Sequence, residues 1–319
     1  MSLPAGHGVA IFGITGRMGQ SLVRCLTEEG AARAEAKSAA GAEAEGRGGG
    51  ANAARRNQVR QAPGSERQGG ADPVDPGEFA LRLSGAAAGA GSSRLGQDAA
   101  AEGRPSGVLI TADLDLALRD AGVAVDFSRP EFVVPHAEAC VRAGVPLLVG
   151  TTGFDAQARA AVEAASRQIA VLIAPNTSVG VGVMAQLVRM ATSSLGPEFD
   201  VEIVEAHHRL KRDAPSGTAL ALGQVVADAR AQALADVAVF DRHGVFEPRK
   251  AGSIGFSAVR AGDIVGEHTV IFAGSGERVE ITHRATDRAT FARGALRAAK
   301  WLVGRRPGLY GMENVLDLR

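Results

Sequence analysis

Cysteine, lysine and net charge are all scarce in this chain. Two cysteines in 319 residues, Cys25 and Cys140, stand far apart with no ligand-like spacing. That excludes a disulfide framework and a zinc knuckle, and it fits a reducing cytosol. Lys+Arg and Asp+Glu both number 35, so no whole-chain field would hold a nucleic acid or an anionic membrane, and the expected partner is small. The first residues, MSLPAGHG, lack a basic stretch followed by an apolar run. No later window approaches the length of a membrane span, and the expectation is a soluble, cytoplasmic protein. Only Lys37, Lys211, Lys250 and Lys300 are lysines.

What is present is enough apolar side chain, 45% of residues, to fill two cores. VAIFG (9–13) is a short apolar run ending in glycine, followed by a helix-compatible segment from Arg17 to about Glu29. The alternation recurs with VAVDF (123–127) before a helical stretch from Glu131 to Ala143. VPLLVG (145–150) precedes another from Asp155 to Arg167, and IAVLIA (169–174) closes the series. Strands alternating with helices predict an α/β, Rossmann-like doubly wound parallel sheet. After about Ser178 the segments FDVEIVEA (199–206), SIGFSAVRA (253–261), GEHTVIFA (266–273) and ERVEITHRA (277–285) predict a smaller α+β domain with a mixed sheet. A last helical pattern from Arg288 to about Val303 needs an apolar surface to cover. The expected division is therefore 1–178 with 288–319 as the dinucleotide-binding domain, and 179–287 for substrate and oligomerisation.

Residues 31–78 stand apart. They hold only Val59 and Val74 as large apolar side chains, among many Ala, Gly, Arg and Glu, with seven basic residues matched by seven acidic ones. Such a stretch buries too little to offset its ordering entropy, which predicts a disordered insertion rather than a nucleic-acid arm.

GITGRMG, from Gly13 through Ile14, Thr15, Gly16, Arg17 and Met18 to Gly19, falls where the first strand meets the first helix. A pyrophosphate there would meet free N–H groups and the positive helix end, with Arg17 near a phosphate. The spacing is G-x-x-G-x-x-G rather than G-x-G-x-x-G, and the same glycines would also serve a tight turn alone. GTTGF, with Gly150, Thr151 and Thr152, and APNTSVGVGVM, with Ala174, Pro175, Asn176 and Thr177, follow the next strands. Loops at the carboxyl ends of parallel strands converge on one crevice, so both should border the nicotinamide end of a cofactor site.

EAHHRLKRDAPSGTAL, Glu205 to Leu220, leaves a strand, passes His207, His208 and Lys211, and ends in cap-type residues that announce a helix. A lysine in so arginine-rich a chain is informative, because lysine gives up its proton when desolvated or crowded by positive charge and guanidinium does not. The four-residue separation of His207 and Lys211 lets both address one ligand from a strand or from a helix. Ser216, Gly217 and Thr218 would present N–H groups to a carboxylate at a helix start, or simply cap it. A metal would need further ligands at suitable spacing, and none lies nearby, so no metal is expected.

These motifs resemble the dihydrodipicolinate reductase family, whose signature E-[AV]-H-H-x-x-K-x-D-x-P-S-G-T-A stands here as EAHHRLKRDAPSGTA. GRMG, DFSRPE, GTTGF, APNTSVGV, GFSAVRAGDIVGEHTV and ERVEITH resemble its other blocks in the same order. The resemblance implies NADH- or NADPH-dependent reduction of a small cyclic dicarboxylate on the route to diaminopimelate and lysine. It implies His207 as catalytic histidine, His208 as substrate contact, Lys211 as proton donor, and Gly217 with Thr218 as carboxylate site. Gly13–Met18, Gly150–Thr152 and Ala174–Thr177 match the family's cofactor contacts, and a homotetramer through the second sheet is implied. In the family, an acidic residue followed by arginine ends the second strand and reads the adenosine ribose or its phosphate. Here LRLSGAAAGAGSS puts Ala88 and Gly89 there, which leaves the choice between NADH and NADPH open. Thr177 stands where some members carry Phe or Met. The competing readings are another two-domain amino-acid dehydrogenase, and a nucleotide-binding relative that has lost catalysis.

Overall fold

Val9, Ala10, Ile11 and Phe12 are each fully buried, a pattern that requires a strand covered on both faces. The computed structural model describes residues 7–46, 79–100 and 102–318. The first half of the chain runs β1 (His7–Phe12), α1 (Arg17–Gly46), β2 (Leu81–Ala87), β3 (Ile110–Thr111), α2 (Leu114–Leu118), β4 (Val123–Asp126), α3 (Val133–Ala143), β5 (Leu147–Val149), α4 (Ala156–Ala165), β6 (Ala170–Ile173) and α5 (Val179–Leu195). It continues with β7 (Asp200–His207), α6 (Gly217–Ala229), α7 (Leu234–Val237), β8 (Ala238–Val239), β9 (Ile254–Arg260), β10 (Gly266–Ala273), β11 (Arg278–Ala285), α8 (Ala289–Leu302), β12 (Gly308–Tyr310) and α9 (Met312–Val315).

Seven parallel strands form one sheet in the order β12-β6-β5-β4-β1-β2-β3. The two-residue period of a strand sorts its side chains into two cores. Val9, Ile11, Val125 and Leu148 face α1 and α8, whereas Ala10, Phe12, Leu147 and Val149 face α3 and α4. This is the doubly wound domain that the apolar runs predict. The second sheet, β11-β10-β7-β9-β8, is mixed, with β10 antiparallel to both neighbours and β7 parallel to β9. Its inner face packs Val201, Ile203, Val270 and Phe272 against α5 and α6, while Glu280 and Arg284 of β11 lie exposed on the edge strand.

The disordered insertion expected from residue 31 meets a helix, since α1 continues through Gly46. Alanine and glutamate are strong helix formers and close their own backbone hydrogen bonds without a core to pack on. The rest of that expectation, residues 47–78, lies outside the described residues. No helix among those described is long and apolar enough to cross a membrane.

Helix α8 lies against α1 and the first sheet, burying Ala292, Ala295, Leu296 and Leu302. It approaches the loop after β6 so closely that a Cβ on Gly294 would sit 1.8 Å from the Thr177 carbonyl oxygen. Helix propensity alone favours alanine over glycine by about 1 kcal/mol. The contact predicts the reverse. Gly294→Ala is expected to lower stability by about 1–3 kcal/mol in urea titration, and an unchanged or raised midpoint would contradict the close approach.

Candidate functional site

The turn after β1 is built for close approach. Gly13 has φ +76°, and a Cβ there would lie 2.6 Å from the Phe127 carbonyl oxygen. The N–H groups of Gly13 and Ile14 both donate to the Ala87 carbonyl, at 3.1 and 3.2 Å, and Gly16 N–H donates to Gly13 at 3.0 Å. Those three amides hold the turn, and the ones left for a phosphate include Thr15 and, in the first turn of α1, Arg17 and Met18. Ile14 is fully buried, and its side chain belongs to the core.

Gly13, Thr15 and Gly16 line a cleft of about 630 Å³ with Ala88, Gly89 and Ser92 at the end of β2. Among the described residues no carboxylate lines it, and Arg129 is its one arginine or lysine. A Cβ on Gly89 would meet nothing nearer than the Phe132 ring at 3.9 Å. Arginine would therefore fit there.

At the end of β4 the buried Asp126 carboxylate accepts from Ser128 N–H at 2.8 Å, Thr151 Oγ1 at 3.1 Å and the His136 ring at 2.9 Å. It ties the loop after β4 to Gly150–Thr152 after β5. The next loop is fixed by Asn176, whose Oδ1 accepts from Ser178 N–H at 2.9 Å and whose Nδ2 donates to Thr218 Oγ1 at 2.9 Å. That last bond crosses from the first sheet's loops to the start of α6. It occupies a lone pair of the Thr218 hydroxyl and leaves its proton free to donate. Thr177 turns inward, donating from Oγ1 to the Phe291 carbonyl at 2.7 Å, and Ala174 is buried. Both can touch a ligand only through their backbone.

Alternation along β7 continues the inner face from Val201 and Ile203 to Glu205 and His207. The same row that fills the core thus ends in polar side chains at the cleft. Register sets His268 of β10 beside Glu205, and Arg260 of β9 beside His207. Glu205 is 1% exposed. Its oxygens accept from both Arg260 Nη atoms (2.7 and 2.8 Å), from His207 Nδ1 at 2.6 Å and from Ser216 N–H at 3.0 Å. Burial would raise its pKa, and those hydrogen bonds together carry it below the usual carboxylate value. Burial holds His207 below the usual imidazole value; Glu205 opposes this, and Lys211 and Arg260 reinforce it.

Strand β7 ends at His207, and a turn with Lys211 N–H on the His208 carbonyl at 3.1 Å returns the lysine to the cleft. The shared face of His207 and Lys211 thus comes from a turn, neither from strand nor from helix. Lys211 Nζ lies 2.9 Å from Asp213.

One cleft of about 650 Å³ gathers Gly16, Arg17, Met18, Gly150, Thr151 and Thr152 with Pro175, Asn176 and Thr177 on one side. His207, His208, Lys211 and Thr218 line the other. Ser216 departs from its expected role, because its N–H is taken by Glu205 and its hydroxyl both accepts from Ala219 N–H and lies 2.9 Å from His268 Nε2. Gly217 and Thr218 keep the free amides of α6's first turn. His268, His283 and Arg288 also line this cleft, and with Glu205 and Arg260 they lie outside the residues expected from the sequence. The i, i+2 spacing of Glu205 and His207 in a predicted strand was the available signal for the glutamate. The others depend on pairing between strands remote in sequence, or on the return of α8.

His268 is pushed down to about 4, chiefly by burial and next by His207. Its Nδ1 is buried without a partner among the described residues. The fold therefore excludes a proton that the unfolded chain takes up near its ordinary value of 6.5. Stability is expected to fall as pH drops from 6.5 to about 4. Thermal melts of His268→Gln should show a shallower decline across this window, and an identical pH profile would contradict the burial of a neutral ring.

The family model described as "Dihydrodipicolinate reductase, N-terminus" matches residues 78–177, and that described as "Dihydrodipicolinate reductase, C-terminus" matches 180–316. A 4-hydroxy-tetrahydrodipicolinate reductase of Anaeromyxobacter dehalogenans strain 2CP-C is 53% identical over 241 residues, which is 75% of this chain and 89% of that protein. One from Thiobacillus denitrificans is 55% identical over 230 residues, 72% of this chain and 86% of that one. Among solved structures, a dipicolinate-bound dihydrodipicolinate reductase from Paenisporosarcina sp. TG-14 shares the fold with TM-score 0.64 at 22% identity, over 98% of this chain and 100% of that chain. With both halves of the chain matched and relatives this similar, the protein belongs to the dihydrodipicolinate reductase family.

Proposed function

We propose that this chain reduces 4-hydroxy-tetrahydrodipicolinate to tetrahydrodipicolinate with NADH or NADPH, in diaminopimelate and lysine biosynthesis. The observation that carries this reading is the single cleft between nucleotide-type loops of a parallel sheet and the His207, Lys211 and Thr218 side chains of the second sheet's domain. Residues 1–178 with 288–319 would hold the nucleotide, and 179–287 the substrate and the contacts of a cytoplasmic homotetramer. The residues suit a dinucleotide: the Gly13 turn admits backbone at a distance that a Cβ would block, and the first turn of α1 offers amides to a pyrophosphate. When bound, the reduced nicotinamide supplies the hydride.

Everything else is done by the chain. The amides of Gly217 and Thr218, at the positive end of α6, hold one substrate carboxylate, and the Thr218 hydroxyl proton completes that site because Asn176 occupies its lone pair. His208 flanks the ring. The 4-hydroxyl leaves as water to give a conjugated double bond that takes the hydride. Lys211, steered by Asp213 at 2.9 Å, delivers the proton that balances it, and His207 faces the same conjugated system.

The test is an assay with condensation product freshly made from pyruvate and aspartate semialdehyde, following loss of reduced nicotinamide absorbance. Lys211→Ala and His207→Ala are each expected to lower turnover on the order of a hundredfold, with little change in cofactor affinity. Full turnover in both would overturn the assignment. Thr218→Val should instead raise KM; an unchanged KM would move the carboxylate site elsewhere.

Cofactor choice follows from the cleft at Ala88 and Gly89. With neither carboxylate nor paired arginine there, NADH and NADPH should differ by less than about tenfold in kcat/KM. Ala88→Glu is expected to favour NADH, since a carboxylate accepts from the ribose diol and repels a phosphate. Gly89→Arg should favour NADPH. A thousandfold preference in the unaltered protein would show that another residue reads the ribose.

A further inference from the structure

Arg260 lines no part of the cleft that holds His207 and Lys211, yet both its Nη atoms are doubly engaged, while its buried Nε has no partner among the described residues. Its Nη1 donates to Glu205 Oε2 at 2.8 Å and to the Val259 carbonyl at 2.7 Å. Its Nη2 donates to Glu205 Oε1 at 2.7 Å and to the Asp213 carbonyl at 2.6 Å. A planar guanidinium and a carboxylate matched in this way form the strongest common ion pair in proteins, and each offsets part of the other's charge locally.

The consequence falls on His207. An ionised carboxylate only accepts, so the 2.6 Å contact between Glu205 Oε2 and His207 Nδ1 places a proton on Nδ1. A histidine beside a lone buried carboxylate would be drawn toward the imidazolium. Here burial disfavours the charged ring, the two Arg260 Nη atoms offset part of the pull of Glu205, and Lys211 and Arg260 are of the wrong sign to hold a second proton. Lys211 approaches from the turn after β7, with Asp213 as its own counter-ion. His268, the nearest ring on β10, stands 5.2 Å away centroid to centroid and is kept neutral by burial. The ring's other nitrogen, Nε2, lies against Gly266 at the start of β10, where a Cβ would come within 3.0 Å of it.

We propose that Arg260 is a positioning residue: by pairing with both oxygens of Glu205 it offsets that carboxylate's pull on the ring, and so, together with burial, keeps His207 neutral with its proton on Nδ1 and its lone pair on Nε2. The arrangement divides the labour of the cleft. His207 Nε2 accepts a hydrogen bond or a proton, and Lys211 is the cation that gives one up. The depressed pKa of His207 agrees with this, with burial as its main cause and Arg260 among the charges that lower it further. The inference rests on His207 as a reacting group, but the charge on its ring is measurable without turnover.

The experiment is a pH titration of the full chain labelled with ¹³C and ¹⁵N in histidine, with the His207 signals assigned from their loss in His207→Asn. In the unaltered protein at pH 7, the ¹⁵N shifts should report a protonated Nδ1 and an unprotonated Nε2. In Arg260→Gln the midpoint of His207 should move up by about one pH unit or more, because the freed Glu205 charge now favours the imidazolium. Arg260→Lys, which keeps one positive charge but not the paired geometry, should fall between. The acid limb of kcat/KM should move up in the same order. A doubly protonated His207 in the unaltered protein at pH 7 would overturn the proposal, and so would a midpoint unmoved in both variants. Should Arg260→Gln fail to fold, the ring's state in the unaltered protein and the Arg260→Lys shift decide the matter. Loss of turnover with the His207 midpoint unchanged would mark Arg260 as merely structural. A His207 titration that moves as stated while His207→Ala keeps full turnover would leave the charge assignment standing and remove the proposed catalytic role.

Discussion

The half of this molecule that carries His207, Lys211 and Thr218 depends on one buried carboxylate. Glu205 is removed from water at the end of a strand whose earlier inward side chains are valine and isoleucine, and an unpaired charge there would cost several kcal/mol. Four donors offset that cost, drawn from three parts of the chain: two from Arg260 on β9, one from His207 further along β7, and the Ser216 amide at the start of α6. The requirement to satisfy Glu205 therefore fixes where β9 ends, where α6 begins and how the His207 ring is turned. Thr218 lines the cleft two residues after a backbone amide held by Glu205.

The first sheet contributes by geometry rather than by charge. Parallel strands put the loops after β1, β4, β5 and β6 at one edge, and Asp126 binds two of those loops together. Asn176 then joins the fourth to Thr218 of the second unit. A side-chain hydrogen bond of this kind couples the loop expected at the nicotinamide to the helix start expected at the carboxylate. Thr177 and Gly294 hold the same loop against α8 from behind. The loop is thus set between a helix that returns from the end of the chain and a helix of the second unit.

The sequence showed the parallel core well, because apolar runs of four to six residues followed by helical stretches have few other solutions. It marked the HHxxK and SGT blocks as candidate chemistry and placed a helix start at the second, where α6 begins after Ser216. The four-residue step from His207 to Lys211 is a turn, and the Ser216 amide is already in use. Arg260 and His268 could not be found by local reading, since their meaning lies in registers that pair residues 52 to 63 positions away from the motif they serve. The segment 31–46 misled for another reason. Little apolar area argues against a packed core, but it does not prevent an alanine- and glutamate-rich stretch from continuing a helix already nucleated at Arg17.

On the proposed function, cofactor and cyclic dicarboxylate meet in one cleft, with hydride from one side and a proton from the chain on the other. Isotope transfer reads this directly. With nicotinamide carrying deuterium at the transferring C4 position, in ordinary water, the product should hold one deuterium per cofactor oxidised; with unlabelled cofactor in deuterium oxide, the proton-derived position alone should be labelled. Product formed in ordinary water from labelled cofactor without that deuterium, or no product at all, would contradict the account.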